Sequence, residues 1–491
     1  MTTLLKRQLC ALLSLLIVGA AFVSCGGDTG SDTTVDTTST DAQTAAAEPA
    51  ETEEPSAFDL MESVDYGGQI IRIMLSDQQN EQGDIITAEE ENGDVLHDLI
   101  YRRNRAVEEK YNVLIEGEAD TNSVVNDMIR MQVQGGSNDY EFYFAHSSVS
   151  GLATAGLLYP ISQIAEIDLT NPWWDKAALN DLSIGGEVFM AIGDISPVSL
   201  LTSSCMAFNK KLFSQQDMAF PYEMAADGKW TIDAMLDMTK GLTTDLNGDG
   251  ALDCSNDLFS MTSWGWDSPY SLFYGTGGKL SAKDDNDIPY IDFNLDRLSS
   301  IYDKIFELVI GQQSNFVTDV AEYMNTYTTF VNGNAYFCDI TLYKIGLYLR
   351  DMEDDFGILP TPKYDEASDY TSLVNLSAPM IAVPRNAQDV SRTGTIIEAI
   401  AAAAYDMVTP QLFDVITKSK NVRDEESAAM VDLIVRNRVF DPVYIYQING
   451  YGCVDGQLKA KKNEIASQYE RNLKAAEKMM EKIVKAYEEI E

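Results

Sequence analysis

Histidine is almost missing from this chain: there are two in 491 residues, His97 and His146. A zinc site built on clustered histidines, or a histidine proton relay, is thereby close to excluded. A serine–histidine–aspartate triad would have to use one of these two. Positive charge is scarce as well. Thirty-five Lys and Arg stand against 77 Asp and Glu, a formal net charge of -42. Nucleic-acid binders need a basic face to replace phosphate counterions, and so acidic a body is also unsuited to an anionic lipid surface. Cysteines number six, with no CxxC pair, which speaks against a disulfide scaffold or a thiolate zinc site. No internal repeat is visible. What is present is ordinary globular composition, 45% apolar and 23% charged, at a length that suggests two or three domains or one large bilobed body.

The N-terminus reads as a processed segment. Lys6 and Arg7 precede the apolar run Leu9 to Val23, which falls short of the ~20 residues of a membrane span. The run ends in Phe22-Val23-Ser24-Cys25-Gly26-Gly27, which resembles a bacterial lipobox with Phe22 in place of the usual leucine. That resemblance implies cleavage before Cys25 and a lipid on Cys25; the alternative is an ordinary secretory signal with an incidental cysteine. Residues 26–57 carry eight acidic residues and no basic ones. With almost nothing to bury, such a stretch is expected to be a disordered linker. The remaining cysteines, Cys205, Cys254, Cys338 and Cys453, are expected to be unpaired.

From Gly67 onward, periodicity alternates between strand and helix. Strands are expected at Gly67 to Leu75, Val113 to Ile115, Tyr140 to Ala145, Glu187 to Ile192, Cys205 to Phe208, Ala335 to Cys338, Phe356 to Leu359 and Met380 to Val383. Helices are expected at Asp94 to Tyr111, Ser123 to Gln134, Asn209 to Gln215, Thr231 to Lys240, Leu298 to Val309 and Thr393 to Ala404. One charged amphipathic helical tract is expected from Gln457 to Glu491. This order implies βαβ units and a largely parallel sheet, an α/β fold.

Several stretches resemble extracellular solute-binding lipoproteins of ABC-type importers, in the sugar-binding, maltose-binding-protein-like branch. They are Asn171-Pro172-Trp173-Trp174-Asp175, Gly185 to Phe189, Ala207-Phe208-Asn209-Lys210-Lys211-Leu212-Phe213, Gly228-Lys229-Trp230-Thr231 and Phe356 to Lys363. The resemblance implies a two-lobed periplasmic-binding-protein-like fold of type 2, with the ligand in a cleft between lobes joined by a multi-strand hinge. By the same analogy, lobe 1 takes residues 58–197 and 376–421, and lobe 2 takes 200–372 and 422–491. It further implies a monomeric receptor, not an enzyme. Anchored on the outer face of the cell membrane, the receptor would bind a carbohydrate and pass it to importer permease subunits. Two alternatives stay open: an extracellular glycoside hydrolase using a carboxylate pair, and the same receptor fold carrying a peptide or other polar solute.

Three stretches are candidates for the cleft. His146, Ser147 and Ser148 follow an apolar strand, where hydroxyl-binding donors and acceptors would face a ligand. The place resembles the sugar-contacting turn of maltose-binding relatives, although an acidic residue and an arginine stand there where this chain has serines. The alternative is a capped helix start. Trp264, Trp266 and Tyr270 lie among Gly and Pro, as in a loop that stacks on pyranose faces; anchoring of that loop to the core is the competing reading. Asp339, after the strand Ala335 to Phe337, is either a hydroxyl acceptor or a helix cap, and Thr202 is a weaker candidate at the hinge. Trp173 and Trp174 are assigned to packing.

The sharpest local motif lies elsewhere. Asp245, Asn247, Asp249, Ala251 and Asp253, with Gly250 at the turn, match the first nine places of an EF-hand-type calcium loop. Its twelfth place is Asn256, followed by Asp257. A structural Ca2+ is expected there, with Asp257 helping to close the shell; an Asx-rich turn without metal is the alternative. No catalytic cofactor is expected.

Overall fold

Fourteen strands among the described residues position everything that follows. In chain order they are β1 Gln69–Ser76, β2 Val113–Asp120, β3 Phe142–Ala145, β4 Leu158–Tyr159, β5 Ser204–Asn209, β6 Phe259–Trp264, β7 Ser281–Lys283 and β8 Pro289–Ile291. Then come β9 Asn315–Val317, β10 Ala335–Thr341, β11 Phe356–Leu359, β12 Ser372–Leu373, β13 Met380–Pro384 and β14 Arg438–Val439. The computed structural model describes residues 55–77, 86–292, 294–412, 424–448 and 454–489. The signal segment with Cys25, residues 26–54 of the linker and Cys453 lie outside the described residues.

Two five-stranded sheets organise the molecule. The first has the order β2-β1-β3-β13-β4 and the second β11-β5-β10-β6-β9. In each, all strands but one run the same way. In the first sheet β1 is parallel to β2 and β3, and only β13 is antiparallel to its neighbours β3 and β4. In the second, β10, β6 and β9 are parallel, and only β5 opposes its neighbours. The reversed strand is the one that has just crossed from the other lobe, so it enters its sheet against the local direction. This is the two-lobed α/β architecture of type 2.

The hinge is built from short pairings. The helix Pro197–Leu201 leads into β5, and Ser203 bridges to Val374. Asn375 donates its N–H to the Thr202 carbonyl at 3.1 Å, and Leu342 donates to Ser203 at 3.1 Å. The two-residue strands β12 and β14 pair in parallel beside them.

Local sequence explains the helices. Asp94 caps the helix Val95–Tyr111 by accepting from the His97 N–H, and Asn112 ends it in the left-handed region. Thr231 caps Ile232–Thr239 by accepting from the Ala234 N–H, the role its position after Trp230 suggests. Gly136, with φ of 69°, stops the helix Asn122–Gly135.

The stretches that carry the resemblance are architectural. Trp230 is fully buried, stacks on Phe337 at 5.8 Å and donates its indole N–H to the Pro360 carbonyl at 2.9 Å. Phe213 meets Phe208 and Phe337 edge-on. Three sequence motifs therefore converge on one core. In the other lobe, Trp173 and Trp174 donate their indole N–H groups to the two oxygens of buried Glu398 at 3.1 and 3.0 Å, and Asn171 adds a bond of 2.7 Å.

Two expectations need correction. Glu187 to Ile192 is not a strand. Ala191 makes a single bridge to Ile381, because β4 already occupies that side of β13 from Val383 onward. The C-terminal tract is two helices, Val454–Lys459 and Ile465–Glu488. Lys461 adopts φ of 52° between them. The N–H groups of Lys461 and Lys462 fold back onto the Leu458 and Gln457 carbonyls at 2.9 Å each, closing the first helix. Of the cysteines, Cys205, Cys254 and Cys338 are free.

Candidate ligand cleft

The end of β3 runs into the turn His146-Ser147-Ser148. The His146 Nδ1 accepts from the Ser148 N–H at 3.1 Å, which puts the ring proton on Nε2. Burial pushes the imidazole down to about 4, against the pull of Asp267, so it is neutral at ordinary pH. Ser147 is buried and its N–H donates to the Leu376 carbonyl of the returning hinge segment at 3.2 Å. The Ser148 Oγ accepts from the Asn126 amide at 2.8 Å. The turn is both a capped helix start and a partner of the opposite lobe. The charge that acts on its imidazole from there is that of Asp267.

Asp267 stands between the sequence-nominated Trp266 and the helix Ser268–Gly275. Burial works to raise its carboxyl, but the ion pair with Lys344 at 2.8 Å and a bond from Asn375 outweigh burial and hold it below its ordinary value. The Lys344 ammonium is held above its ordinary value by the same pair, despite burial. Behind it, Asp339 accepts from the Ser271 hydroxyl at 2.8 Å. Burial pushes this carboxyl up to about 7, opposed by the Ser268 and Ser271 hydroxyls and reinforced by Asp267. The cap of the following helix, Leu342–Tyr348, is Thr341 and not Asp339.

The three aromatics of the loop part company. Trp264 is buried edge-on against Tyr323, at 4.9 Å between ring centres. Tyr270 lies 5.0 Å from the Tyr444 ring, and its hydroxyl donates to Asp455 at 2.9 Å. Only Trp266 is open, at 52% exposure, and the Lys459 ammonium stands 3.1 Å from its ring centre. Thr202 is buried in the hinge, where its hydroxyl donates to the Ser199 carbonyl at 2.9 Å. The structure thus sets His146 and Asp339 in the field of Asp267, places Trp266 and Tyr270 against Lys459 and Asp455, and leaves Thr202 within the hinge backbone. Sequence reasoning missed Asp267, Lys344, Asp455 and Lys459. Asp267 lies inside the loop from Trp264 to Tyr270, whereas the other three come from distant segments with no local signal.

The Asp245–Asp253 loop precedes the start of β6, whereas Trp266 and Asp267 follow its end. Asp245 accepts from the Gly248 and Gly250 N–H groups at 2.7 and 2.8 Å, Asn247 from Asp249 and Asp249 from Ala251, each at 2.8 Å. Asp257 is buried and ties the loop shut, accepting from Leu246 at 2.9 Å and Asp253 at 2.7 Å. Among the described residues no three His, Cys, Asp or Glu side chains converge as a metal cluster. Each of these oxygens spends one lone pair on an N–H and keeps another, so the donor set remains of the hard-oxygen kind that suits calcium.

No family model and no curated protein matches this sequence. Solved structures do. The maltose/maltodextrin-binding domain of Bdellovibrio bacteriovorus, bound to maltotriose, aligns over 84% of this chain and 100% of its own, with 15% identity and a TM-score of 0.52. An ABC substrate-binding protein of Listeria monocytogenes, in complex with cycloalternan, aligns over 84% and 98%, with 13% identity and a TM-score of 0.54. A solute-binding protein of Thermotoga lettingae, bound to α-D-tagatose, aligns over 85% and 100%, with 13% identity and a TM-score of 0.53. No helix among the described residues is long and apolar enough to cross a membrane. By its strand order and these alignments, the chain has the two-lobed fold of the sugar-binding receptors of ABC-type importers.

Proposed function

We propose that this protein is a lipid-anchored extracellular receptor that binds a carbohydrate between its lobes and delivers it unchanged to an ABC importer. The observation that carries the reading is that His146, just past the carboxyl end of β3 in one sheet, feels the charge of Asp267, just past the carboxyl end of β6 in the other. Carboxyl ends of strands are where open α/β sheets place ligands, and a site shared by two lobes is made and unmade by hinge motion. Neighbouring structures that hold a monosaccharide, a linear trisaccharide or a cyclic oligosaccharide support the carbohydrate class.

A hydrolase is less well supported. Asp267 is neutralised by Lys344 and Asp339 is sealed beneath Ser268 and Ser271, so neither carboxyl is free to act on a glycosidic bond. The test is a thermal-shift screen of the purified protein against sugars and peptides. A solute at a hundredfold excess over its dissociation constant adds about 2.7 kcal/mol to apparent stability. Binding of one mole per mole with no new reducing ends is expected; release of reducing ends would overturn the reading. The anchor is tested by Cys25→Ala, which is expected to leave the membrane fraction or retain its signal. Unchanged fractionation, with no labelled lipid on the parent, would rule the anchor out. The Asp245–Asp253 loop, on this reading, holds a structural calcium that touches no solute.

A further inference from the structure

Trp266 is the exposed tryptophan of the five: Trp173, Trp174, Trp230 and Trp264 are all under 9% exposed. Its ring is nevertheless not free. The Lys459 Nζ sits 3.1 Å from the ring centre, too close for any other group to lie between. The same ammonium pairs with Asp455 Oδ2 at 2.9 Å, four residues back on the helix Val454–Lys459. The other Asp455 oxygen accepts from Tyr270, at 2.9 Å. Tyr270 in turn is fixed against Tyr444. An aromatic face, a carboxylate oriented by a phenol and an open side toward solvent make a seat for an alkyl ammonium. Here the chain's own lysine fills it.

We propose that the Trp266–Asp455–Tyr270 corner is a cation seat that takes the ammonium group of an incoming solute in exchange for Lys459, so that among carbohydrates the receptor favours amino sugars over neutral ones. This rests on the receptor reading above. A neutral pyranose that stacks on Trp266 must expel Lys459 and lose its attraction to the ring, and it leaves Asp455 without a cation. An amino sugar replaces the ammonium like for like. It keeps the contact with the ring and the pair with Asp455, and releases Lys459 to water. The surplus of acidic groups on the body, 77 against 35 basic, favours the approach of a cation in the same sense.

Two measurements test this. The first titrates the purified chain with a β-1,4-linked glucosamine disaccharide and with cellobiose, which differ at C2 in carrying an ammonium or a hydroxyl. The amino sugar is expected to bind about fivefold tighter or more, with the gap closing in Asp455→Asn. Equal affinities, or a preference for cellobiose, would overturn the selectivity. The second needs no sugar. Because the other tryptophans are buried, an aqueous quencher reads Trp266, and Lys459→Ala is expected to make it more accessible. Propylammonium, which restores the atoms removed, is expected to protect it again; propanol and sodium chloride are not. Protection by all three alike, or no gain in quenching in Lys459→Ala, would overturn the seat. Amine-specific protection with no binding of either disaccharide or of any sugar in the screen would support the seat and count against the carbohydrate reading.

Discussion

Glu398 illustrates how one side chain organises a motif. It is 4% exposed and accepts from two indoles and an amide, which explains why the Asn171-Pro172-Trp173-Trp174 stretch packs as it does. Burial raises its carboxyl, while Asn171, Trp174 and Trp173 favour the ionised form. Glu398→Ala leaves two indole N–H groups buried and unpaired. The cost of each is 1–3 kcal/mol, so a loss of about 3–5 kcal/mol is expected. Glu398→Gln keeps one acceptor but turns an amide N–H₂ toward a donor, with an expected loss of about 1–3 kcal/mol. Urea midpoints measure both; an alanine variant within 1 kcal/mol of the parent would show that the cluster is not the anchor described. Gly357 makes the same point for the Phe356–Leu359 stretch. A Cβ there would lie 2.0 Å from the Tyr222 hydroxyl and 2.3 Å from the Phe208 ring. Gly357→Ala is expected to cost about 1–3 kcal/mol by overpacking, read by the same melts.

At the scale of elements, the Asp245–Asp253 loop carries the clearest test. Its turns are already made by side-chain bonds to the backbone, so a bound calcium would stiffen a loop that is bent without it. Chelator is expected to lower the melting temperature of the parent, and Asp249→Ala is expected to melt at the lower value with or without chelator. An unchanged parent in chelator would leave the loop an Asx-rich turn. This loop was legible because all its groups lie within thirteen residues, as were the strands and helices whose periodicity runs for four residues or more, such as Met380–Pro384. The elements that escaped sequence reading are those that tertiary geometry makes: the two-residue pair β12 and β14, and Glu187 to Ile192, whose strand-like composition finds no free edge. The cleft was half legible for the same reason. His146 and Trp266 stood out as rare residues beside turns, whereas Lys344 and Lys459 are ordinary lysines until folding sets them against Asp267 and Trp266.

At the scale of the whole molecule, buried carboxyls set the pH response. Burial pushes Asp194 and Asp339 up to about 7 and Asp181 up to about 6. Asp194 faces Arg438 and Asp175, which are paired with each other at 2.7 Å across the junction of β14 with the helix Lys176–Leu182. Asp181 accepts from the Phe440 N–H at 3.0 Å and faces Lys283, Lys279 and Asp441. In the unfolded chain these carboxyls ionise near 3.9. Between there and pH 7 the folded state therefore holds more protons, and stability falls as pH rises through the folded values. A tenfold change in proton affinity is worth about 1.4 kcal/mol, so the decline from pH 5 to pH 8 is expected to reach several kcal/mol. Asp267 and Asp424 act oppositely, their ion pairs weakening only as pH falls below the ordinary carboxylate range, and buried His146, held down to about 4, offsets part of the decline by adding stability as pH rises to the unfolded imidazole value near 6.5. General repulsion adds little to the decline above pH 6, because ordinary carboxylates are fully charged there and the chain has only two histidines. Urea midpoints measured from pH 5 to pH 8 test this directly. Asp194→Asn removes the carboxyl without removing its volume, and is expected to flatten much of the slope and to exceed the parent in stability at pH 8. A parent profile that is flat, or a variant profile that runs parallel to it, would show that Asp194 is ionised in the folded protein and stabilised by Arg438.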